Sequence, residues 1–171
     1  KNLAGKYWPL LSDEESYGIV RTSYENGINW FDTAEMYGNG ESERTLARAL
    51  HAGSIDDGEV VIATKWQPIF RTAGSITQTI DKRLEALNGY TISLYQIHNP
   101  LSFSGITSEM KAMAKLVQDK KIRYVGVSNF SARQMRKAYH ELDKYGIKLV
   151  SNQVHYNMLN RKIERNGILE T

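Results

Sequence analysis

Polar side chains that can take part in chemistry follow short apolar runs at regular intervals along this 171-residue chain. In chain order they are Asp32, Lys65, His98, Ser128 with Asn129, and Gln153. Successive positions lie 25 to 33 residues apart, about the length of one strand and one helix. Because the carboxyl ends of consecutive barrel strands meet at one mouth, this spacing predicts that five distant positions form one site.

Tyr37 and Lys65 suggest what chemistry such a site performs. A free phenol has a pKa of about 10, and a neighbouring ammonium favours the phenolate, so we expect Lys65 to lower the pKa of Tyr37. Asp32 would keep Lys65 charged and oriented, and His98 would hydrogen-bond a carbonyl oxygen. These parts suit reduction of a carbonyl, in which a nicotinamide delivers hydride to carbon and Tyr37 protonates the oxygen.

Two further sets of residues would complete the site. Ser128, Asn129 and Gln153 carry the hydroxyl and amide groups that can hold a nicotinamide carboxamide. Trp66 and Asn99 directly follow residues of the mouth, so we expect them to line the substrate pocket with Tyr37 and His98. The remaining histidines do not have metal-ligand spacing, and no metal is predicted; they are His51, His140 and His155.

Each site residue also has a structural interpretation when it is taken alone. Asp32 can cap the segment after its strand, Lys65 can be a solvated charge, and His98 can belong to a turn before Asn99 and Pro100. Ser128 and Asn129 can form a turn ahead of a helix. A different chemistry is also open, because a barrel lysine such as Lys65 can act as a Schiff-base nucleophile.

The elements that must position these residues are alternating strands and helices. Five apolar runs without polar alternation predict strands that are covered on both faces. They are residues 28–31, 60–64, 90–97, 122–127 and 147–154. Strands that alternate with helices form a parallel sheet, either an open doubly wound sheet or a (β/α) barrel. The spacing of the polar residues favours the barrel, and Gly38-Asn39-Gly40 does not complete a dinucleotide-binding GxGxxG motif.

Capping and stop signals mark the ends of the helices. Three capping boxes, each a serine followed three residues later by Glu or Gln, predict helix starts at Ser12, Ser75 and Ser131. Three glycines directly before strands predict left-handed helix ends, at Gly27, Gly89 and Gly146. A further helix is expected to begin after Asn160.

The composition is that of a single globular domain, which we take to span residues 1–171. The residues are 41% hydrophobic and 24% charged, and the net charge is +3. The absence of cysteine excludes disulfides, thiolate metal sites and cysteine nucleophiles, and it fits a reducing, cytoplasmic location. The densest basic stretches, residues 120–123 and 133–137, lie among acidic residues or at predicted helix ends, so we interpret them as solvated surface and expect no nucleic-acid binding. No long apolar run occurs, so we expect no membrane insertion.

These segments, in this order, resemble the aldo-keto reductase family, in its bacterial branch that also resembles potassium-channel β subunits. The resemblance begins near Ser12 and continues to the end of the chain. The matching segments are Phe31-Asp32-Thr33-Ala34-Glu35-Met36-Tyr37-Gly38 with Ser42-Glu43, Ala63-Thr64-Lys65, Tyr95-Gln96-Ile97-His98, Gly126-Val127-Ser128-Asn129-Phe130 and Asn152-Gln153.

The resemblance implies an NADP(H)-dependent reductase of small carbonyl compounds on an α/β fold, the (β/α)8 TIM barrel. Matched position by position, the catalytic residues would be Asp32, Tyr37, Lys65 and His98, with Tyr37 as proton donor. The residues that bind the cofactor would be Asp32, Ser128, Asn129 and Gln153. The alternative is a barrel that binds NADP(H) in a regulatory role without catalysis, or an inactive fragment.

The chain departs from this family in its number of strands. Only about five βα units are visible, corresponding to strands 2–6 of an eight-stranded barrel, and no first strand is recognisable within residues 1–11. We therefore expect the sequence to be part of a longer protein. Unpaired edges of a partial sheet promote association, so a homo-oligomer or a partner chain that covers them is also expected.

Overall fold

The computed structural model describes residues 11–171, so the segment searched for a first strand lies outside it except for Leu11. The helices are α1 (Asp13–Glu25), α2 (Glu41–Ala52), α3 (Gly74–Leu87), α4 (Ile106–Gln118) and α5 (Ala132–Asp143). The strands are β1 (Trp30–Asp32), β2 (Val61–Trp66), β3 (Ile92–Ile97), β4 (Ile122–Ser128) and β5 (Leu149–Gln153). Short 3₁₀ helices span Asp57–Glu59 and Lys162–Glu164.

The five strands form one parallel sheet in the order β1-β2-β3-β4-β5, and each pair of neighbours is joined through a helix. In a flat sheet the first and last strands would lie about 19 Å apart, at four spacings of about 4.8 Å. Instead, Nε2 of Gln153 on β5 donates to Oδ2 of Asp32 on β1 at 3.3 Å. The sheet is therefore strongly curved and forms half of a barrel, which confirms the predicted fold class.

The hydrophobic core lies between the outer face of the half-barrel and its helices. Residues of β2 alternate between the two faces, as strand geometry requires. Thr64 and Trp66 point outwards, where their side chains hydrogen-bond Glu43 of α2 and Ser75 of α3. Lys65 points inwards to Asp32. Large, fully buried side chains of this core include Leu50, Ile62, Trp66, Ile76, Ile80, Tyr95, Ile97 and Phe130.

Two of the three predicted capping boxes are confirmed. Ser12 and Ser131 each accept a hydrogen bond from the backbone three residues on, and the reciprocal side-chain bond is present in both. The box at Ser75 is wrong: α3 begins at Gly74, and the Ser75 hydroxyl instead accepts from the side chains of Arg71 and Trp66. The helix expected after Asn160 is only the short 3₁₀ turn at Lys162–Glu164.

The three predicted stop glycines do adopt left-handed backbone conformations. The φ angles are 85° at Gly27, 98° at Gly89 and 68° at Gly146. Such angles strain residues that have a Cβ atom, so glycine suits the point where each helix turns back into a strand.

Gly126 has a different role, because it lies at a tight contact between β4 and β5. The register of this pair shifts between Val125 and Gly126. A Cβ atom at Gly126 would lie 2.3 Å from Oγ of Ser151 and 3.0 Å from Cγ of Gln96. The missing side chain therefore lets the two strands close the sheet just below the mouth.

Within residues 11–171, β1 and β5 are the edge strands of the sheet. On the inner face, Trp30 and Tyr124 are 51% and 57% exposed, because no further strands of the described chain cover them. No helix in this part of the chain is long and apolar enough to cross a bilayer.

Candidate active site

The structure brings the polar residues at the carboxyl ends of the strands to one mouth. Asp32, Ser128 and Gln153 are the last residues of β1, β4 and β5, and His98 directly follows β3. The backbone N–H of His98 donates to the carbonyl of Trp66 at 3.0 Å, which extends the sheet pairing by one residue. The predicted convergence of strand ends is therefore observed.

Lys65 and Asp32 form a close ion pair at the base of the mouth. Nζ of Lys65 donates to Oδ2 of Asp32 at 2.6 Å and to the carbonyl oxygen of Thr33 at 2.8 Å, and Lys65 is 1% exposed. The same nitrogen makes both bonds and is almost completely shielded from solvent. A Schiff-base nucleophile must reach a substrate carbonyl with this nitrogen, so the geometry does not support the aldolase-like alternative.

Tyr37 and His98 contact each other next to this ion pair. Their rings meet edge to face with centroids 5.8 Å apart, and Nζ of Lys65 is 5.4 Å from the centroid of the Tyr37 ring. Tyr37 stands in the loop after β1 and is 41% exposed, so its hydroxyl can meet a ligand.

The expectation that Lys65 lowers the pKa of Tyr37 is wrong. Burial and then the charge of Asp32 raise the pKa of this phenol above its usual value of 10.0. The physical reason is that the Lys65 ammonium is bonded to Asp32 and Thr33 rather than to the phenol oxygen, while the Asp32 carboxylate opposes a phenolate. Tyr37 is therefore protonated at neutral pH.

His98 is held in its neutral form. Burial is the main cause that lowers its pKa below the usual 6.5, and the positive charge of Lys65 adds to the effect. Nδ1 of His98 is buried and has no hydrogen-bond partner among the described residues. The other ring nitrogen, Nε2, is thus the one available to a ligand in the mouth.

Ser128, Asn129 and Gln153 form a connected group beside Asp32. Oγ of Ser128 donates to the carbonyl of Gln153 at 2.9 Å, and Nδ2 of Asn129 donates to that same Oγ at 3.0 Å. Asn129 has a left-handed φ of 60° and also donates to the carbonyl of His98 at 3.2 Å. Hydroxyl and carboxamide groups both donate and accept, so this group suits a ligand carboxamide.

The structure does not bring Trp66 to the mouth. Its side chain is fully buried on the outer face of the sheet, and Nε1 donates to Oγ of Ser75 at 3.1 Å. Its expected place in the substrate pocket is therefore corrected. Asn99 follows His98 at the mouth and is partly buried, and its Oδ1 has no partner within residues 11–171.

Four charged residues behind the mouth, three of them buried and Arg71 partly exposed, were missed by sequence reasoning. They are Glu35, Glu43, Arg71 and Arg83. A signal was present for two of them, because helical periodicity places Glu43 with Leu46 and Leu50, and Arg83 with Ile80, on apolar faces. No group of three or more His, Asp or Glu side chains suited to hold a metal ion occurs in the described part of the chain.

Comparisons with known proteins show which sequences this chain resembles. The family model described as "Aldo/keto reductase family" matches residues 2–171. Aldo-keto reductase AFTS1 of Alternaria alternata is 32% identical over 93% of this chain and 52% of its own length. Aldo-keto reductase YhdN of Bacillus subtilis is 31% identical over 95% of this chain and 50% of its own.

Solved structures show the same fold. The thermostable aldo-keto reductase Tm1743, in complex with the inhibitor epalrestat, superposes with a TM-score of 0.84 at 31% identity, over 92% of this chain and 56% of its own. An aldo-keto reductase from Klebsiella pneumoniae in complex with NADPH gives 0.79 at 24% identity, over 92% and 54%. The chain thus spans about half the length of the relatives it matches.

Proposed function

The chain belongs to the aldo/keto reductase family, and on this premise we propose that the protein reduces aldehyde or ketone carbonyls to alcohols, with NADP(H) as cofactor and Tyr37 as proton donor. The observation that carries the proposal is the arrangement of Asp32, Lys65, Tyr37 and His98 at one mouth. A phenol, a lysine amino group and an imidazole lie next to one another there, and these are groups that suit a carbonyl oxygen.

The cofactor assignment rests on the groups beside these residues. Ser128, Asn129 and Gln153 would hold the nicotinamide carboxamide, and Gln153 is already bonded to Asp32 at 3.3 Å. That bond places the proposed cofactor residues directly next to the proton-donor residues. Bound NADPH supplies the hydride that reaches the carbonyl carbon. NADPH is also the molecule bound to the Klebsiella pneumoniae relative.

Residues of the chain itself would orient the carbonyl and supply the proton. His98 would donate from Nε2 to the carbonyl oxygen and orient it towards Tyr37. Tyr37 would then pass its hydroxyl proton to that oxygen as the new C–H bond forms. Nζ of Lys65 lies 5.4 Å from the centroid of the Tyr37 ring, and its bond to Asp32 keeps it in place. Because Tyr37 is partly exposed, water can return its proton. Asn99 would contact the substrate beside His98.

Replacement of Tyr37 by Phe tests this assignment in the full-length protein. Removal of a general acid costs about 10² to 10⁴-fold in rate, so kcat should fall by at least about 100-fold while the Kd for NADPH is unchanged. Turnover is followed by NADPH absorbance over a panel of aldehydes and ketones, and binding by quenching of protein fluorescence. Tyr139→Phe, which removes a comparably exposed hydroxyl on α5, is the matched control.

Two outcomes would contradict the proposal. If Tyr37→Phe retains the rate of the natural protein, Tyr37 is not the proton donor. If the natural protein binds NADPH tightly but turns over no carbonyl in the panel, the barrel is a non-catalytic binding protein.

A further inference from the structure

The loop after β1, which carries Tyr37, is fixed to the loop after β2 by the buried carboxylate of Glu35. Glu35 lies two residues before Tyr37, and its backbone N–H donates to the carbonyl of Lys65 at 3.2 Å. Its side chain is 7% exposed, and Oε1 accepts from the backbone N–H of Gln67 at 2.6 Å and from the guanidinium of Arg71. Glu35 therefore joins the loop after β1 to the end of β2 through its main chain and to the loop after β2 through its side chain.

Arg71 contacts α3, the ring of Trp66 and the loop that follows β3. Its Nε donates to Oγ of Ser75 at 2.9 Å and one terminal nitrogen donates to Oγ1 of Thr79 at 2.8 Å, which fixes the guanidinium to α3. The guanidinium carbon lies 5.4 Å from the centroid of the Trp66 ring. The Arg71 carbonyl accepts from the backbone N–H of Phe103 at 2.9 Å, in the loop that follows β3. One arginine thus holds three loops at the mouth.

Arg83 of α3 supports the same carboxylate from the opposite side. It donates to Oε2 of Glu35 at 2.8 Å, and its Nε lies 2.8 Å from Oε2 of Glu43, although the N–H is not directed at that oxygen. Oε1 of Glu43 accepts from Thr64 at 2.6 Å. The two guanidinium groups and two carboxylates balance in charge, as buried ions must to avoid a large desolvation cost.

We propose that Glu35 and Arg71 form a positioning unit for Tyr37, which sets the place of its hydroxyl relative to Lys65 and His98. The inference rests on the proposed function. The turn that carries Tyr37 begins next to Glu35, where the N–H of Tyr37 donates to the carbonyl of Ala34 at 3.0 Å. The Glu35 carboxylate meets the guanidinium groups on the outer side of the sheet, with Thr64 and Trp66, and makes no hydrogen bond to Tyr37, Lys65 or His98. It therefore positions Tyr37 through the backbone.

A displaced catalytic group lowers rate more than binding, since an error of about 1 Å can cost about 100-fold. Arg71→Lys keeps the positive charge but loses the fork of guanidinium bonds. In the full-length protein we expect kcat to fall about 10 to 100-fold, while the KM for the carbonyl and the Kd for NADPH change less than about twofold. The rate of NADPH oxidation in a single turnover should fall by the same factor as kcat.

Glu35→Gln is the second variant, and it should likewise lower kcat while the KM for the carbonyl changes little. Lys115→Ala, which removes an exposed ion pair with Asp119 on α4, is the control and should change neither. A further test combines Arg71→Lys with Tyr37→Phe, because a residue that acts through Tyr37 adds little once the hydroxyl is gone. Equal rate losses in both backgrounds, or a single-turnover rate equal to that of the natural protein, would overturn the proposal.

If the proposed function is wrong, the natural protein shows no turnover. The positioning of the Tyr37 loop is then measured by hydrogen exchange instead of by rate. We then expect the Tyr37 amide to exchange more than about 10-fold faster in Arg71→Lys, while the Leu142 amide on α5 is unaffected. An unchanged Tyr37 amide would mean that Arg71 does not hold this loop.

Discussion

Replacement of Gly126 by alanine tests how the sheet closes below the mouth. The new Cβ atom would lie 2.3 Å from Oγ of Ser151, 3.0 Å from Cγ of Gln96 and 3.1 Å from Cδ1 of Leu94. Rotation of the Ser151 hydroxyl would relieve the closest contact, but it would break the 3.3 Å hydrogen bond to Oε1 of Gln96. The other two contacts require the strands or side chains to move apart.

The expected loss of stability is the sum of three contributions. The broken hydrogen bond costs about 1 kcal/mol, and the added methyl group costs about 1–3 kcal/mol by overpacking. Alanine is less flexible than glycine in the unfolded chain, and this difference raises the free energy of unfolding by about 0.5–1 kcal/mol. We therefore expect Gly126→Ala to lower the free energy of unfolding by about 2 kcal/mol. For a folded unit of about 150–250 residues, that lowers Tm by about 4–8 °C.

Urea and thermal unfolding measure this loss, with two companion variants. Ser151→Ala removes the atom in closest contact, so the double variant should recover about 1 kcal/mol relative to the sum of the single losses. Gly18→Ala, in the middle of α1 with open space around it, is the control and should raise stability by about 0.5–1 kcal/mol. Unaltered unfolding of Gly126→Ala, or no recovery in the double variant, would refute this account of strand approach.

Two other predictions concern the site histidine and a helix cap. The pKa of His98 is lower in the folded protein than its usual 6.5, so the unfolded chain binds the extra proton first and stability should fall as the pH drops from about 7 to about 5.5. His98→Gln should show a smaller fall in urea unfolding over this range, and an equal fall would assign the dependence to other groups. Ser131→Ala removes the cap of α5 and should cost about 1 kcal/mol in thermal unfolding, whereas Ser131→Asp, which can cap equally well, should restore it.

The strands and the mouth could be predicted because their physical causes are local in sequence. Apolar runs predicted all five strands, although the first lies at residues 30–32 rather than 28–31. The order of polar strand ends predicted which residues converge. Period-2 alternation also decides the side of Trp66: its neighbour Lys65 points into the mouth, so Trp66 must point to the helices. The misplacement of Trp66 was therefore avoidable from the sequence.

Other features depend on contacts that sequence spacing does not reveal. The Ser75 hydroxyl has two long-range donors, Arg71 and Trp66, and these compete with its role as a cap. The pKa of Tyr37 depends on where the Lys65 ammonium points, and that is fixed by Asp32 and the Thr33 carbonyl. Which hydrogen-bond partner each of these side chains takes is determined by three-dimensional packing.

The bond between Gln153 and Asp32 also bears on the order in which the molecule assembles. The two residues are 121 positions apart, whereas every strand pair of the sheet joins consecutive strands. Local pairings form early because they close short loops, and the longest closure comes last. The sheet can therefore grow by pairing of neighbouring strands, and the contact between β1 and β5 forms only once β5 has joined. A mutation at Gln153 should thus leave early folding intact and slow the final closure.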